Sequence, residues 1–369
     1  MKISKVFLLV SLVFLLSGCQ EKTLEVGFSG SLTGNGSELG VAARNGFNLA
    51  IDEINEDGGI NGHILVPIIK DDESNIDTAK KIGQSFIDEN VNYVIGFLTS
   101  NMTPAIEETM SKSNILFISP TISTPQMSNI DDQFLRVMEA NDHQAIALAE
   151  LSFDYEKIDN IAVVIDDSNA RYTRPIHELF EKTFVGKGGN IKFFKAFESE
   201  NLDASALADE IKASGSKGIV LVANSIDSAN ILQQLYKIDY KIPSFLAGWA
   251  NTNDFIYHGG LAAEGAYTSS VFDADSDKPK YLDFVKRYQN KYGEEPSFSS
   301  HFAYDSLMML TKGMESSNSF DPVDIKNEII KIRDFEGIQS SFTINEFGDV
   351  IRENFRYRVE NGTFNEIDY

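Results

Sequence analysis

Residues able to do chemistry are few in this chain, and they are scattered. The five histidines, His63, His143, His177, His258 and His301, include no pair at a metal-binding spacing such as H-E-x-x-H. No G-x-S-x-G elbow presents a nucleophilic serine. Gly34-Asn35-Gly36-Ser37-Glu38-Leu39-Gly40 follows a strand-like run and opens a helix-like one, but Leu39 stands where a dinucleotide fingerprint needs its third glycine. Gly186-Lys187-Gly188-Gly189 lacks the upstream glycine and the Ser/Thr of a phosphate loop, and reads as a turn from helix into strand. The acid pairs Asp71-Asp72, Asp131-Asp132 and Asp166-Asp167 are adjacent, so their side chains diverge; helix capping and solubility account for them. A single cysteine excludes an intrachain disulfide and any zinc site built on several thiolates. This inventory favours binding over catalysis, with no enzyme activity, cofactor or metal expected.

Charge narrows the partners. Against 32 Lys+Arg stand 55 Asp+Glu, a formal net charge of −23. Phosphate binding is driven by basic surface, so no nucleic-acid partner is expected, nor docking on an anionic membrane through a polybasic face. A hydrophobic share of 42% and an aromatic share of 11% belong to a folded chain, and 369 residues exceed what one core usually fills. At the start, Lys2 and Lys5 precede apolar runs over 6–10 and 12–16 that close on Ser17-Gly18-Cys19. A basic start, a short apolar stretch and small residues make a secretory signal, too short to span a membrane comfortably. The ending Leu16-Ser17-Gly18-Cys19 resembles the bacterial lipobox. That resemblance implies a signal peptide over 1–18 and lipidation of Cys19 in a mature N-terminus over 19–22. It also implies an extracytoplasmic location, periplasm or cell surface, on a bacterial membrane.

The elements that must position any site alternate. Runs at 24–29, 64–70, 93–96 and 115–118 read as strands buried mostly on both faces, with helices at 39–57, 77–89 and 103–113 between them. The pattern then starts afresh, with strands at 161–165, 191–197, 218–223 and 244–246 and helices at 143–154, 173–185, 203–214 and 227–238. Two rounds of β-α-β-α imply an α/β fold of two parallel-sheet lobes with right-handed crossovers. Amphipathic stretches at 279–292 and 298–314 and a β-like tail at 342–360 are too few for a third domain and complete the two lobes. In open parallel sheets ligands collect beyond the carboxyl ends of the strands, so function belongs in those loops.

Three segments carry a resemblance: Gly27-Phe28-Ser29-Gly30-Ser31-Leu32-Thr33-Gly34, Ala43-Arg44-Asn45-Gly46, and residues 51–62 with their Glu56-Asp57-Gly58-Gly59-Ile60-Asn61-Gly62 ending. The chain resembles the type I periplasmic solute-binding proteins of the leucine/isoleucine/valine-binding branch. Lys70-Asp71-Asp72, Ile118-Ser119-Pro120, Gly248-Trp249, Glu264-Gly265 and Ala303-Tyr304-Asp305 extend the likeness over essentially the whole mature chain. The resemblance implies two Rossmann-like lobes joined by three crossovers, with 23–141 plus 271–340 in lobe 1 and 142–270 plus 341–369 in lobe 2. It further implies capture of a small-molecule ligand and its delivery to an ABC transporter permease. The alternative is a sensing subunit that presents its ligand state to a chemoreceptor or kinase.

Carried over by residue, the resemblance gives a site. In the loop after the third strand, Thr99, Ser100 and Asn101 supply a hydroxyl and amides for a carboxylate, with Ser100 matching the family serine. A hydroxyl beside N–H groups where a helix begins makes an anion cradle. In the next loop Ser123 stands where the family has threonine, with Thr121 and Ile122 supplying backbone. From the second lobe, Tyr172 closes over the ligand, Arg171 beside it is free to meet a second acidic group, and Asn224 faces the cleft. The departure is Trp249, which occupies the position of the acid that holds an ammonium group in the amino-acid binders. Tryptophan offers stacking and one N–H donor, not a countercharge. The expected ligand is therefore a carboxylate with an apolar or aromatic body, not an ordinary zwitterionic amino acid.

Overall fold

A computed structural model of the chain describes residues 22–34, 36–273 and 276–368; the expected signal segment and Cys19 lie outside the described residues. Short uninterrupted apolar runs form strands covered on both faces. β1 (Lys22–Gly30), β2 (His63–Asp71), β3 (Tyr93–Gly96), β4 (Leu116–Ser119) and β5 (Phe134–Arg136) make one parallel sheet in the order β2-β1-β3-β4-β5. Helices Ser37–Glu56, Ile76–Asp88 and Thr103–Met110 connect its first four strands. A second parallel sheet holds β6 (Asn160–Asp166), β7 (Asn190–Phe197), β8 (Ile219–Val222), β9 (Ser244–Leu246) and β10 (Tyr267–Ser270), in the order β7-β6-β8-β9-β10.

The C-terminal third divides between these two bodies. Helix Phe298–Ser317 packs across helix Ser37–Glu56 in the first lobe, and the approach is so close that a Cβ on Gly46 would lie 1.9 Å from the Ser300 carbonyl oxygen. β11 (Asp334–Glu336), β12 (Ser341–Ile344) and β13 (Val350–Ile351) form a small antiparallel sheet. Then β14 (Phe355–Glu360) joins the second sheet antiparallel beside β10, and β15 (Thr363–Glu366) pairs on its outer side. The hairpin between them turns on Asn361 and Gly362, both at positive φ (56° and 76°), the conformation a two-residue primed turn requires.

The chain thus passes between the lobes three times: after β5, after β10, and between Ile351 and Phe355. The last passage differs from the expected boundary at 341. Phe342, Ile344 and Val350 pack in the first lobe's core because β12 pairs with β11 and β13, so the second lobe's share of the tail begins with β14. Two buried arginines brace these passages. Arg136 donates to the Thr124 carbonyl, Ser128 and Asp349. Arg352 donates to the Val137 carbonyl at 2.7 Å and to Asp305 at 3.1 Å, its guanidinium held between Phe302 and Phe342. Among the described residues no helix is long and apolar enough to cross a membrane.

Candidate functional site

The carboxyl ends of both parallel sheets face one another, as the strand-end rule demands. From the first lobe, β3 runs into Leu98 and Thr99 and a short turn at Ser100–Met102, while β4 ends in the loop that carries Thr121 and Ser123. From the second, β6 ends in a turn at Asp167–Asn169 ahead of helix Ala170–Gly186, which carries Tyr172 in its first turn; β9 ends in Gly248–Ala250. Between them is a cavity with about 510 Å³ of empty space, its open mouth included. Thr99, Ser100, Thr121, Ser123, Tyr172 and Trp249 all line it.

The second-lobe wall is organised by a residue the sequence reading passed over. Gln144, in helix Asp142–Ala149, accepts on its single Oε1 both the Tyr172 hydroxyl and the Gly248 amide, each at 3.1 Å. Those two bonds fix Tyr172 and the start of the Trp249 turn relative to each other. The rings of Tyr172 and Trp249 meet edge to face, centroids 5.7 Å apart at 86°. Burial pushes the Tyr172 hydroxyl far above its ordinary value, so it stays protonated at any physiological pH. Trp249 is half-buried and packs against the cores of both lobes, which makes it a shared wall of the cleft. A Cβ at Gly248 would press on this wall, lying 3.1 Å from the Ser269 carbonyl oxygen and 3.2 Å from the Gln144 amide.

Hydroxyls and apolar groups make up the rest. Thr121 donates its hydroxyl to the Leu98 carbonyl at 2.5 Å, tying the two first-lobe loops together. Leu39, Leu98, Met138, Val271 and Phe298 supply apolar surface, and Asn169 and Ser270 add polar groups. Every described residue that lines the cavity is uncharged: none is Asp, Glu, Lys, Arg or His.

Four of the expected residues fall elsewhere. Ile122 is fully buried in the core beneath the cavity, and its amide already donates to Ser119 Oγ at 3.1 Å. Asn101 sits on the rim and crosses to the second lobe: its amide donates to Asn169 at 3.0 Å and its side chain to the Ser168 carbonyl at 3.1 Å. Arg171 joins it there, donating to Thr103 at 2.7 Å and Glu107 at 3.3 Å in the first lobe. Asn224 caps helix Ser225–Lys237 through the Asp227 amide and lines an adjoining recess behind Trp249. The residues that sequence reasoning missed fall into two groups. Met138, Ser270 and Val271 follow β5 and β10 at the crossovers, and applying the strand-end rule to those strands would have found them. Leu39 and Phe298 open helices, and Gln144 lies just inside one; nothing in the local pattern marks them.

A sequence profile of the periplasmic binding protein family matches residues 23–363. The chain belongs to that family. The Leu/Ile/Val-binding protein homolog 1 of Brucella melitensis biotype 1 is similar in sequence, 24% identical over 348 residues, 93% of this chain and 92% of the relative. The leucine-binding protein LivK of Thermotoga maritima has the same fold, with a TM-score of 0.85 at 24% identity over 94% of this chain and 98% of that one. A solute-binding protein of an ABC transporter from Rhodopseudomonas palustris BisB5, solved with 3,4-dihydroxybenzoic acid, matches with a TM-score of 0.84 at 19% identity over 94% and 96%. The fold is that of the type I periplasmic binding proteins.

Proposed function

We propose that this periplasmic binding protein captures a small carboxylate with an apolar or aromatic body in the interlobe cleft and delivers it to an ABC permease, tethered to the membrane through a lipid on Cys19. The carrying observation is the neutral lining of the cavity in front of Trp249; the carboxylates of Glu38 and Asp227 line the adjoining recess behind it. A free ammonium taken from water into a site with no carboxylate loses its hydration and gains no countercharge, a cost of several kcal/mol. The face of Trp249 offsets only about 2 kcal/mol of it. A carboxylate fares better, because hydroxyls and backbone amides at the start of a helix can receive it. Thr99, Ser100 and Ser123 would hold the carboxylate on the first lobe, and Tyr172 and Trp249 would flank the apolar body on the second.

The names of the relatives divide along this line: some bind leucine, others aromatic acids. Support for the second group comes from Trp249 in place of an acid and from the uncharged lining. Binding in a closed cleft excludes water and shifts the population toward the closed form, which the permease would recognise. A thermal-shift panel of benzoate, 4-hydroxybenzoate, 4-methylpentanoate, leucine and valine tests the reading, since a ligand bound only by the native state raises its apparent stability. Aromatic or desamino acids should raise the melting temperature and change the emission of Trp249, the sole tryptophan. A response to leucine and valine alone would refute the ligand class.

A further inference from the structure

The two lobes meet on both sides of the cavity, and the two contacts differ in kind. On one rim, Asn101 and Arg171 join the lobes through neutral hydrogen bonds and one opposite-charge pair. The far side has no basic partner. Glu38, in the first turn of helix Ser37–Glu56, reaches across to the second lobe, where Ser225 Oγ donates to its two carboxyl oxygens at 3.0 and 3.3 Å. Thr252 and Asp254 of the second lobe line one groove with the same carboxyl, and the Asp254 charge bears on it. Carboxylates only accept, so two acids brought together in this groove can bond each other only by sharing one proton.

The other titratable groups around Glu38 are also acids. Asp227, on helix Ser225–Lys237, lines the recess that Glu38 enters and is bonded by Asn224 and Ser199. Glu294 and Glu295 line the groove on its other side, where Glu294 accepts from Asn45 and Tyr288 and Glu295 accepts from Gln289. Among the described residues lining the recess and the groove there is no Lys, Arg or His.

We propose that lobe closure is proton-linked: the Glu38–Asp254 pair takes up a proton as the lobes meet and releases it as they part. The inference rests on the reading of this chain as a clamp that closes on its ligand. Burial first, and the charge of Asp254 second, push the Glu38 carboxyl from 4.5 to about 7 in the closed form. In the open form Glu38 is returned to water and to its ordinary value. The sign follows: a group whose value is raised on closing costs nothing below 4.5 and opposes closure increasingly as pH rises toward about 7. Ligand release is therefore favoured on the alkaline side.

The test is small-angle X-ray scattering from about pH 5 to about pH 8.5 on the wild-type chain, Glu38→Gln and Asp254→Asn, without ligand and with benzoate or leucine added. Either amide donates to the remaining carboxylate without needing a shared proton. The wild-type closed-to-open ratio should fall by up to roughly tenfold per pH unit from about pH 5 to about 7 and level off above it, while both variants stay compact throughout. A flat wild-type profile, or variants that reproduce the wild-type slope, would overturn the proposal. So would variants that open at low pH, because that shows a plain structural contact. If neither probe changes the scattering or the melting temperature at any pH, the carboxylate-capture reading fails, and the ligand-free profiles decide the latch alone.

Discussion

Gln144→Leu should be far more damaging than Tyr172→Phe, although both break the same hydrogen bond. The Tyr172 hydroxyl and the Gly248 amide share Gln144 Oε1, each at 3.1 Å. Removing the tyrosine hydroxyl leaves that oxygen with its Gly248 partner. The cost is one net hydrogen bond, about 0.5–1.5 kcal/mol. Replacing the glutamine leaves two donors without an acceptor, one of them on a side chain only 7% exposed. An orphaned buried donor costs about 1–3 kcal/mol, and the half-buried Gly248 falls at the low end, so the sum is about 2–4 kcal/mol. Leucine fills nearly the glutamine volume, so little cavity cost is added. Because the two residues share one interaction, the double variant should cost less than the sum of the singles by about 1 kcal/mol. Urea unfolding followed by circular dichroism and Trp249 emission reads all three. Ligand affinity should follow the same order, since these bonds set the second-lobe wall. Equal costs for the two single variants, or strict additivity, would refute the claim that Gln144 holds both groups.

Gly46→Ala should destabilise the first lobe by about 1–3 kcal/mol or more, because the new methyl meets the Ser300 backbone at 1.9 Å and neither helix can yield locally; a lowered urea midpoint checks it. Burial holds the Asp72 carboxyl up at about 6, above its usual 3.8, with Asp71 adding to the effect. The folded chain keeps that proton to higher pH than the unfolded one, so wild-type stability should decline by about 2–3 kcal/mol as pH rises through this window. Asp72→Asn should lack that decline in pH-dependent urea titrations. Cys19→Ser should move the protein from the membrane fraction to the soluble extracytoplasmic fraction on cell fractionation, with ligand binding unchanged.

Much of the frame was legible because parallel strands announce themselves as apolar runs. Tyr93–Gly96 and Ser244–Leu246 have the limits read from the sequence, and so does helix Pro279–Tyr292. β5 escaped because it is three residues long and one of them is Arg136, a fully buried charge whose acceptors come from distant segments. Helix Pro322–Ile332 was missed despite a readable start, Asp321 accepting from the Val323 and Asp324 amides just ahead of Pro322. At the cleft, the loops after β3, β4, β6 and β9 were found, whereas those after β5 and β10 and the helix starts that carry Leu39, Gln144 and Phe298 were not. Gln144 shows why: its role depends on a tyrosine and a glycine that lie 28 and 104 residues away, and no local pattern encodes that meeting. Asn101 and Arg171 were read as ligand contacts from their place in the chain, but they reach across the rim to the opposite lobe, a distinction only the packing makes.

The cavity in front of Trp249 offers hydroxyls and amides to a carboxylate and no carboxylate of its own to an ammonium. Isothermal titration of leucine against 4-methylpentanoate tests it most directly, because the two differ only by the α-ammonium group. The account predicts that 4-methylpentanoate binds at least roughly tenfold tighter, a difference of about 1.4 kcal/mol. Leucine binding as tightly as its desamino analogue, or more tightly, would contradict it.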